Sequence, residues 1–495
     1  MSASYTPASV ISGLSNPGLF RQDAYINGQW VKGSSGKTFE VRDPATDKLI
    51  GTSAELDIKQ VKQAIDDASA AFKEFKKTTP RYRANLLRKM YELMHENKED
   101  LAKLVTLENG KTSTEATNEV VYAASFYEWF SEEAPRIYGD TIPSVDPTKR
   151  IHTIKQPIGV CGIITPWNFP AAMITRKVGA AIAAGCTVVI KPGAETPYSA
   201  LALAELAEKA GVPKGVINIV TAEESIEIGK EFCSNPIVKK ISFTGSTRVG
   251  KILMQQSSST LKKLSFELGG NAPFIVFEDA DIDEAVKGAI ASKFRGTGQT
   301  CVCVNRIYAH SSIHDEFAKK LADEVSKFKI GAGFEKDTTH GPMITDRAVA
   351  KVHEHVTDAL EKGGKLMVGG KPATELGPNF YHPTVISNVN SSMRVVSEET
   401  FGPLAAIVPF DTEEQVIESA NSTEVGLAAY FYTKDYGRVS RVSEALESGM
   451  VGVNVSGLGE ASFPFGGVKE SGFGREGSKY GLDDYLVIKG VVVGY

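Results

Sequence analysis

Cysteine is scarce: five occur in 495 residues, at positions 161, 186, 233, 301 and 303. An odd, small count in a chain of this length excludes a disulfide-built scaffold and fits a reducing compartment. Long apolar runs are also missing, so no segment is expected to cross a bilayer. Neither sign of charge is in excess, with 55 Lys and Arg against 60 Asp and Glu and a formal net charge of -5. That balance, without any basic tract, argues against nucleic acid as a partner. Histidines are few and scattered, and a lone C-x-C lacks the ligand spacing of a zinc site, so no metal is expected. Residues 1–20 contain no Lys or Arg and no apolar h-region, and residues 491–495 form no ER or peroxisomal address. The cytoplasm is therefore the expected location.

What is present points to an α/β protein. A chain this long requires two or more domains. Residues 1–20, rich in Ser, Pro and Gly, read as a loose arm, and residues 25–31 as a hairpin turning at Asn27-Gly28. From 57 to 133 apolar residues recur at helical spacing, as in Val61, Ile65, Ala68, Phe72 and Phe75. Gly139, Pro143 and Pro147 break that pattern, and residues 151–154 alternate as an exposed strand. The segment 139–155 reads as an excursion suited to oligomerisation. Short apolar runs at 160–164, 187–190, 216–220 and 240–243 then alternate with helices. A second series lies at 274–277, 304–309, 405–409, 428–432 and 451–453. Alternation of this kind means βαβ units and parallel-sheet cores. Residues 485–494 read as a late strand able to pair with the 139–155 excursion.

The chemistry concentrates in Arg295-Gly296-Thr297-Gly298-Gln299-Thr300-Cys301-Val302-Cys303-Val304-Asn305-Arg306. Two thiols stand two residues apart, after glycine-rich backbone and between arginines. A thiol attacks only as thiolate, and nearby cations or backbone N–H groups favour that form; the alternative is a pair of small buried hydrophobes. Gly245-Ser246-Thr247-Arg248-Val249-Gly250-Lys251 nearly matches a P-loop, but Ile252 stands where the magnesium-binding hydroxyl belongs. A strand, a glycine turn and a helix N-terminus still make an anion site. Glu267, between Phe266 and Leu268, is either a general base with a raised pKa or a capping carboxylate. Asn168, on a loop stiffened by Pro166 and Pro170, is either an oxyanion donor or an Asx-turn residue.

Together the stretches 165–170, 191–197, 243–250, 266–270, 298–301, 399–403 and 464–474 resemble the aldehyde dehydrogenase superfamily, collinearly from about residue 25 to the end. Within it, residues 266–273, 298–303 and 466–481 look most like succinate-semialdehyde dehydrogenases, fungal ones in particular. The resemblance implies a cofactor domain (1–138 and 156–266), a catalytic domain (267–480) and an oligomerisation sheet (139–155 and 481–495), in a homodimer or homotetramer. It implies Cys301 as nucleophile, Asn168 as oxyanion donor and Glu267 as base, with a thioester intermediate. A cysteine hydrolase without hydride transfer is the competing class.

The same resemblance implies NADP or NAD as cofactor, held by Ile164, Thr165, Pro166, Trp167, Lys191, Ala194, Gly245, Ser246, Val249 and Leu268, with Glu399 and Phe401 at the nicotinamide end. Strictly NAD-linked relatives carry glutamate where this chain has Ala194, with Glu195 displaced by one. Without that carboxylate a 2′-phosphate is not repelled, so NADP is expected to be accepted. For the substrate, Arg176 and Arg295 would clamp a distal carboxylate, as planar guanidinium forks do. Succinate semialdehyde is the expected substrate, with glutarate semialdehyde or an uncharged aldehyde as alternatives. One departure is Gly459, where such enzymes usually place a serine, followed by Glu460, which would oppose an acid if it pointed inward. Cys303 either only packs or, as relatives of this kind suggest, is a redox partner that forms a reversible disulfide with Cys301.

Overall fold

A computed structural model describes residues 5–495. Residues 1–4 of the expected loose arm lie outside the described residues, and from residue 5 onward the arm is not loose. Thr6 caps the helix Pro7–Ser12, the 3-10 turn Pro17–Leu19 follows, and Leu19 is fully buried. The Tyr5 hydroxyl donates to Asp43 at 2.7 Å. A few apolar anchors in a Ser- and Pro-rich stretch were enough to pin it, and composition alone hides them.

Among the described residues the strands form two large sheets, a three-stranded sheet and two small ribbons. The first large sheet has a parallel centre made of Ile217–Ile219, Thr187–Lys191, Val160–Ile164, Val238–Thr244 and Lys263–Glu267, in that spatial order. The centre of this sheet is buried, and four of these strands read as short, largely apolar runs. The fifth, Lys263–Glu267, went unread; three of its five residues are polar or charged and its first two are only half-buried. The hairpin Ala24–Ile26 and Gln29–Val31 forms one edge, with Asn27 and Gly28 at φ 51° and 74° as its turn requires. The other edge is Gly472–Phe473, paired antiparallel with Lys263–Glu267. The segment 267–480 therefore supplies the last strand of the first sheet.

The second sheet is parallel through Thr384–Ser387, Leu404–Phe410, Val304–His310, Ala272–Val276, Ala428–Tyr432 and Met450–Val453, with Lys365–Val368 antiparallel at its edge. In the third sheet Leu486–Gly494 runs antiparallel to Lys149–Pro157, which also pairs with Thr141–Ile142. The late strand and the excursion meet as their patterns foretell. The observed architecture is thus α/β: two sheet cores and a small β arm, as the resemblance implies.

Two helices matter for the site. Ser113–Glu133 starts at a capping box between Thr112 and Glu115. Ala172–Ala184 is buried along its whole length, including Arg176 and Lys177. A helix apolar all round belongs in a core, so two cations within it need partners.

Candidate active site

The loop carrying Cys301 is held by its neighbours. The turn Arg295–Gly298 puts Gly296 and Thr297 in the left-handed region, each at φ 56°. The Gly296 N–H donates to the Glu115 carboxylate at 2.7 Å, and the Thr297 hydroxyl to the Gly341 carbonyl at 3.0 Å. Gln299 locks the far side, accepting from Ile344 N–H at 2.9 Å and donating to the Gly296 carbonyl at 3.1 Å. A side chain at Gly298 would collide with the Gly402 carbonyl at 2.1 Å, so this loop lies directly against residues 399–403. Similarly, a Cβ at Gly270 would stand 2.6 Å from the Cys301 carbonyl. Cys301 itself stays partly exposed. Its thiol is pushed up to about 12, first by burial, with Arg176 opposing and Glu267 and Glu399 adding to the rise. The resting group is a thiol that needs a base.

Asn168 follows the C-terminal end of Val160–Ile164. Its Nδ2 donates to the Gln299 carbonyl at 3.0 Å, which ties this amide to the nucleophile loop and leaves its second hydrogen for another acceptor. The Asn168 backbone carbonyl accepts from Lys111 Nζ at 2.6 Å. Lys111 is also ion-paired to Glu119, whose side chain is wholly buried. The other Glu119 oxygen accepts from the Ala171 and Ala172 N–H groups at 2.9 and 3.4 Å, at the start of the helix bearing Arg176. Lys111 and Glu119 were not singled out from the sequence. The available signal was carboxylates at 115 and 119 on a helix face otherwise lined by Ala116, Val120 and Ala123.

Glu267 ends its strand with Oε2 buried and unpartnered. Burial holds its pKa well above the usual carboxylate range; Glu476 adds to this, while Arg176 and Lys177 oppose it. Glu476, likewise missed, forms ion pairs with both Arg176 and Lys177. Burial pushes the Glu476 carboxyl up, but the two cations prevail and hold it below its ordinary value. Lys177 also donates to the Thr244 hydroxyl at 2.6 Å. Arg176 thus arrives already paired, its plane 4.5 Å over the Phe465 ring, with Nη2 left unpartnered.

A cavity of about 250 Å³ opens beside Cys301; Asn168, Glu267 and Glu476 are not among its lining residues. Its wall includes Cys301, Arg176, Arg295, Lys111, Tyr122, Phe169, Phe465 and Gly459. Arg295 is exposed, lies 5.4 Å over the Phe169 ring and, among the described residues, makes no ion pair. Glu460 is exposed and does not line the cavity, so it does not oppose an acidic substrate there. Cys303 is buried, with its thiol donating to the Lys293 carbonyl at 3.5 Å.

A second, larger cleft of about 860 Å³ is lined by Ile164, Thr165, Pro166, Trp167, Lys191, Ala194, Gly245 and Val249, and Glu195 reaches it as well. Ser246 caps the helix Thr247–Ser257, accepting from Val249 N–H at 3.4 Å, and Leu268 is buried where a Cβ at Gly250 would strike it. Phe401 meets Trp167 edge-on at 5.8 Å. Glu399 accepts from Gly270 N–H at 3.2 Å, and burial pushes its carboxyl up to about 7. Lys251, the P-loop lysine position, pairs with Glu470 at 2.7 Å and does not serve the cleft. The cleft suits a dinucleotide: the Thr165 hydroxyl is buried and unpartnered, and a helix N-terminus opens beside the Lys191 cation.

Comparison with known proteins agrees with this geometry. A family model described as the aldehyde dehydrogenase family matches residues 30–491. The chain is 58% identical over 482 residues to a succinate-semialdehyde dehydrogenase [NADP(+)] of Saccharomyces cerevisiae, covering 97% of each. It is 55% identical over 471 residues to a glutarate-semialdehyde dehydrogenase of Pseudomonas putida, covering 95% of this chain and 97% of that one. Among solved structures, a succinate-semialdehyde dehydrogenase from Burkholderia pseudomallei superimposes with a TM-score of 0.96 at 55% identity, over 98% of this chain and all of that one, 100%.

Proposed function

The chain belongs to the aldehyde dehydrogenase family, and from that premise we propose that it oxidises succinate semialdehyde to succinate with NADP, through a thioester on Cys301. The observation that carries this reading is one cavity holding a thiol together with two arginines, one of them without a carboxylate partner. Glu267 is the base. Burial raises its pKa well above the ordinary carboxylate value, which strengthens it as an acceptor of a proton from the Cys301 thiol and later from water. The thiolate attacks the aldehyde carbon, and the free hydrogen of the Asn168 amide with the Cys301 backbone N–H holds the resulting oxyanion. A bound oxidised nicotinamide supplies the hydride acceptor. Water activated by Glu267 then cleaves the thioester, releasing acid and restoring the thiol. Splitting the oxidation in two lowers each barrier.

For the cofactor, Lys191 meets the adenosine ribose or its 2′-phosphate, Ser246 the pyrophosphate, and Glu399 with Phe401 the nicotinamide end. Ala194 leaves the 2′-phosphate room. The relative from Saccharomyces cerevisiae carries NADP in its name and supports this preference. Specificity constants for the two cofactors test it; a strong preference for NAD overturns it.

For the substrate, the deciding experiment compares succinate semialdehyde, glutarate semialdehyde, butanal and acetaldehyde. Succinate semialdehyde should exceed butanal in kcat/KM by at least about tenfold, the worth of one charge-assisted hydrogen bond. Equality would remove the carboxylate clamp. Glutarate semialdehyde ranking first would favour the second reading, which the Pseudomonas putida relative supports.

We further divide the chain into a cofactor domain (1–138 and 156–266), a catalytic domain (267–480) and an oligomerisation sheet (139–155 and 481–495). Exposed Ile488, Val492 and Val493 on the edge strand Leu486–Gly494 support pairing with another copy. Five free cysteines support work in a reducing compartment such as the cytoplasm. Among the described residues no helix is long and apolar enough to cross a membrane, and no cluster of potential ligands could hold a metal ion.

A further inference from the structure

The carboxylate end of an acid semialdehyde presents two oxygens and about four lone-pair sites to be satisfied. In the cavity, Arg176 is already shared with Glu476, and Arg295 is the cation left unpaired among the described residues. Gly459 offers no side chain. Besides Asn118, Ser292, Thr300 and Ser456, this wall carries the phenol of Tyr122. Tyr122 lies on the helix Ser113–Glu133, one turn beyond Glu119 and two beyond Glu115, so all three face the cavity.

The geometry around Gly459 is specific. A Cβ built there would stand 3.6 Å from two carbons of the Tyr122 ring and 3.7 Å from its hydroxyl oxygen. Those are ordinary van der Waals distances, so nothing separates the phenol tip from the space a side chain at 459 would enter. A small hydroxylic residue at 459 would place its oxygen in the region that the Tyr122 hydroxyl now serves. That hydroxyl also stands beside the Arg176 guanidinium, within electrostatic reach of Arg295 and Cys301. Burial, the largest influence on the phenol, raises its pKa, so it keeps its proton and remains a donor.

We propose that Tyr122 is a specificity-determining residue whose hydroxyl donates to the distal carboxylate of the substrate, with Gly459 leaving it room to do so. The inference rests on the reading of the substrate as an acid semialdehyde. It assigns the carboxylate three partners: Nη2 of Arg176, the Arg295 fork and the Tyr122 hydroxyl.

The test compares Tyr122→Phe with the unmodified enzyme on succinate semialdehyde and on butanal, which shares the four-carbon chain without the charge. A lost hydrogen bond to a charged group should lower kcat/KM for the acid by roughly ten- to a hundredfold, mostly through KM. Butanal should be unaffected. Gly459→Ser added to Tyr122→Phe should recover part of the loss for the acid alone. An unchanged ratio of acid to butanal in Tyr122→Phe, where the unmodified enzyme prefers the acid, overturns the role of Tyr122 and leaves the arginine clamp standing. An equal loss on both substrates also overturns it, marking Tyr122 as a packing residue. No preference for the acid in the unmodified enzyme would overturn the substrate reading itself, and that outcome is seen before any variant is made.

Discussion

Lys111 Nζ donates to the backbone carbonyl of Asn168 at 2.6 Å. The side chain reaches across 57 residues of sequence to do so, and the same ammonium lies 3.6 Å over the ring of Phe169. Through Glu119 it is joined to the first turn of the helix carrying Arg176. One buried ion pair thereby ties the Asn168 loop to the helix that carries Arg176.

Loss of that tie should appear in kcat. Lys111→Met leaves Asn168 hydrogen-bonded only through its own amide to Gln299, free to drift from the thiol. A displacement of about 1 Å at a reacting centre costs on the order of a hundredfold in rate. Steady-state kinetics should show kcat down roughly ten- to a hundredfold, with KM for aldehyde and the Kd for NADP nearly unchanged. Lys111→Arg, which keeps the charge, should recover part of the loss. A rise in KM with kcat intact would contradict the positioning role.

Glu476 neutralises two cations inside a fully buried helix, and Gln in its place leaves both uncompensated. Breaking a buried ion pair from one side costs roughly 3–5 kcal/mol, more than a surface pair of the same length. Urea unfolding of Glu476→Gln should show a loss of that size. A loss below about 1 kcal/mol would mean that water or a shift in protonation already relieves Arg176 and Lys177.

The contrast between these residues and those read from sequence has a physical origin. Val160–Ile164 and Thr187–Lys191 were legible because a strand buried on both faces must be apolar throughout. Cys301, Glu267 and Asn168 stood out in the sequence because each sits among glycines, prolines or apolar neighbours that a surface residue would not need. Glu476 was not, because its meaning lies entirely in a partner 299 residues away. Lys111 and Glu119 look like ordinary charges of a helical region until the fold buries them together. Residues 5–20 misled for the opposite reason, since their anchors are few and their composition is that of a linker.

Glu399 gives a pH dependence. Burial pushes its carboxyl up to about 7, and the Gly270 N–H partly offsets this. On the proposed reading, Glu399 is protonated below that pH and would offer a cofactor hydroxyl one acceptor fewer than the carboxylate would above it. NADP affinity should therefore rise as pH increases from about 6 to 8, and binding should lower the apparent pKa of the carboxyl by linkage. Glu399→Gln should bind more weakly at pH 8 and lose the slope. Fluorescence titration at several pH values measures both, and an unchanged slope in the variant would assign the dependence to another group.

Cys303 stands two residues from Cys301, and its thiol donates to the Lys293 carbonyl at 3.5 Å. Peroxide should reach Cys301 first, since it is partly exposed and Cys303 is buried. The Cys301 thiolate displaces hydroxide from the peroxide and becomes a sulfenic acid. Condensation with the Cys303 thiol then forms the disulfide and releases water. The C-x-C spacing requires the loop to bend for acceptable disulfide geometry, and rotation of Cys303 gives up only a weak thiol hydrogen bond. Treatment with about one equivalent of peroxide should abolish activity, and dithiothreitol should restore it. In Cys303→Ala the sulfenic acid has no resolving thiol beside it, so continued peroxide should carry it to the irreversible sulfinic acid. Recovery of the variant's activity to the level of the unmodified enzyme would show that Cys303 only packs.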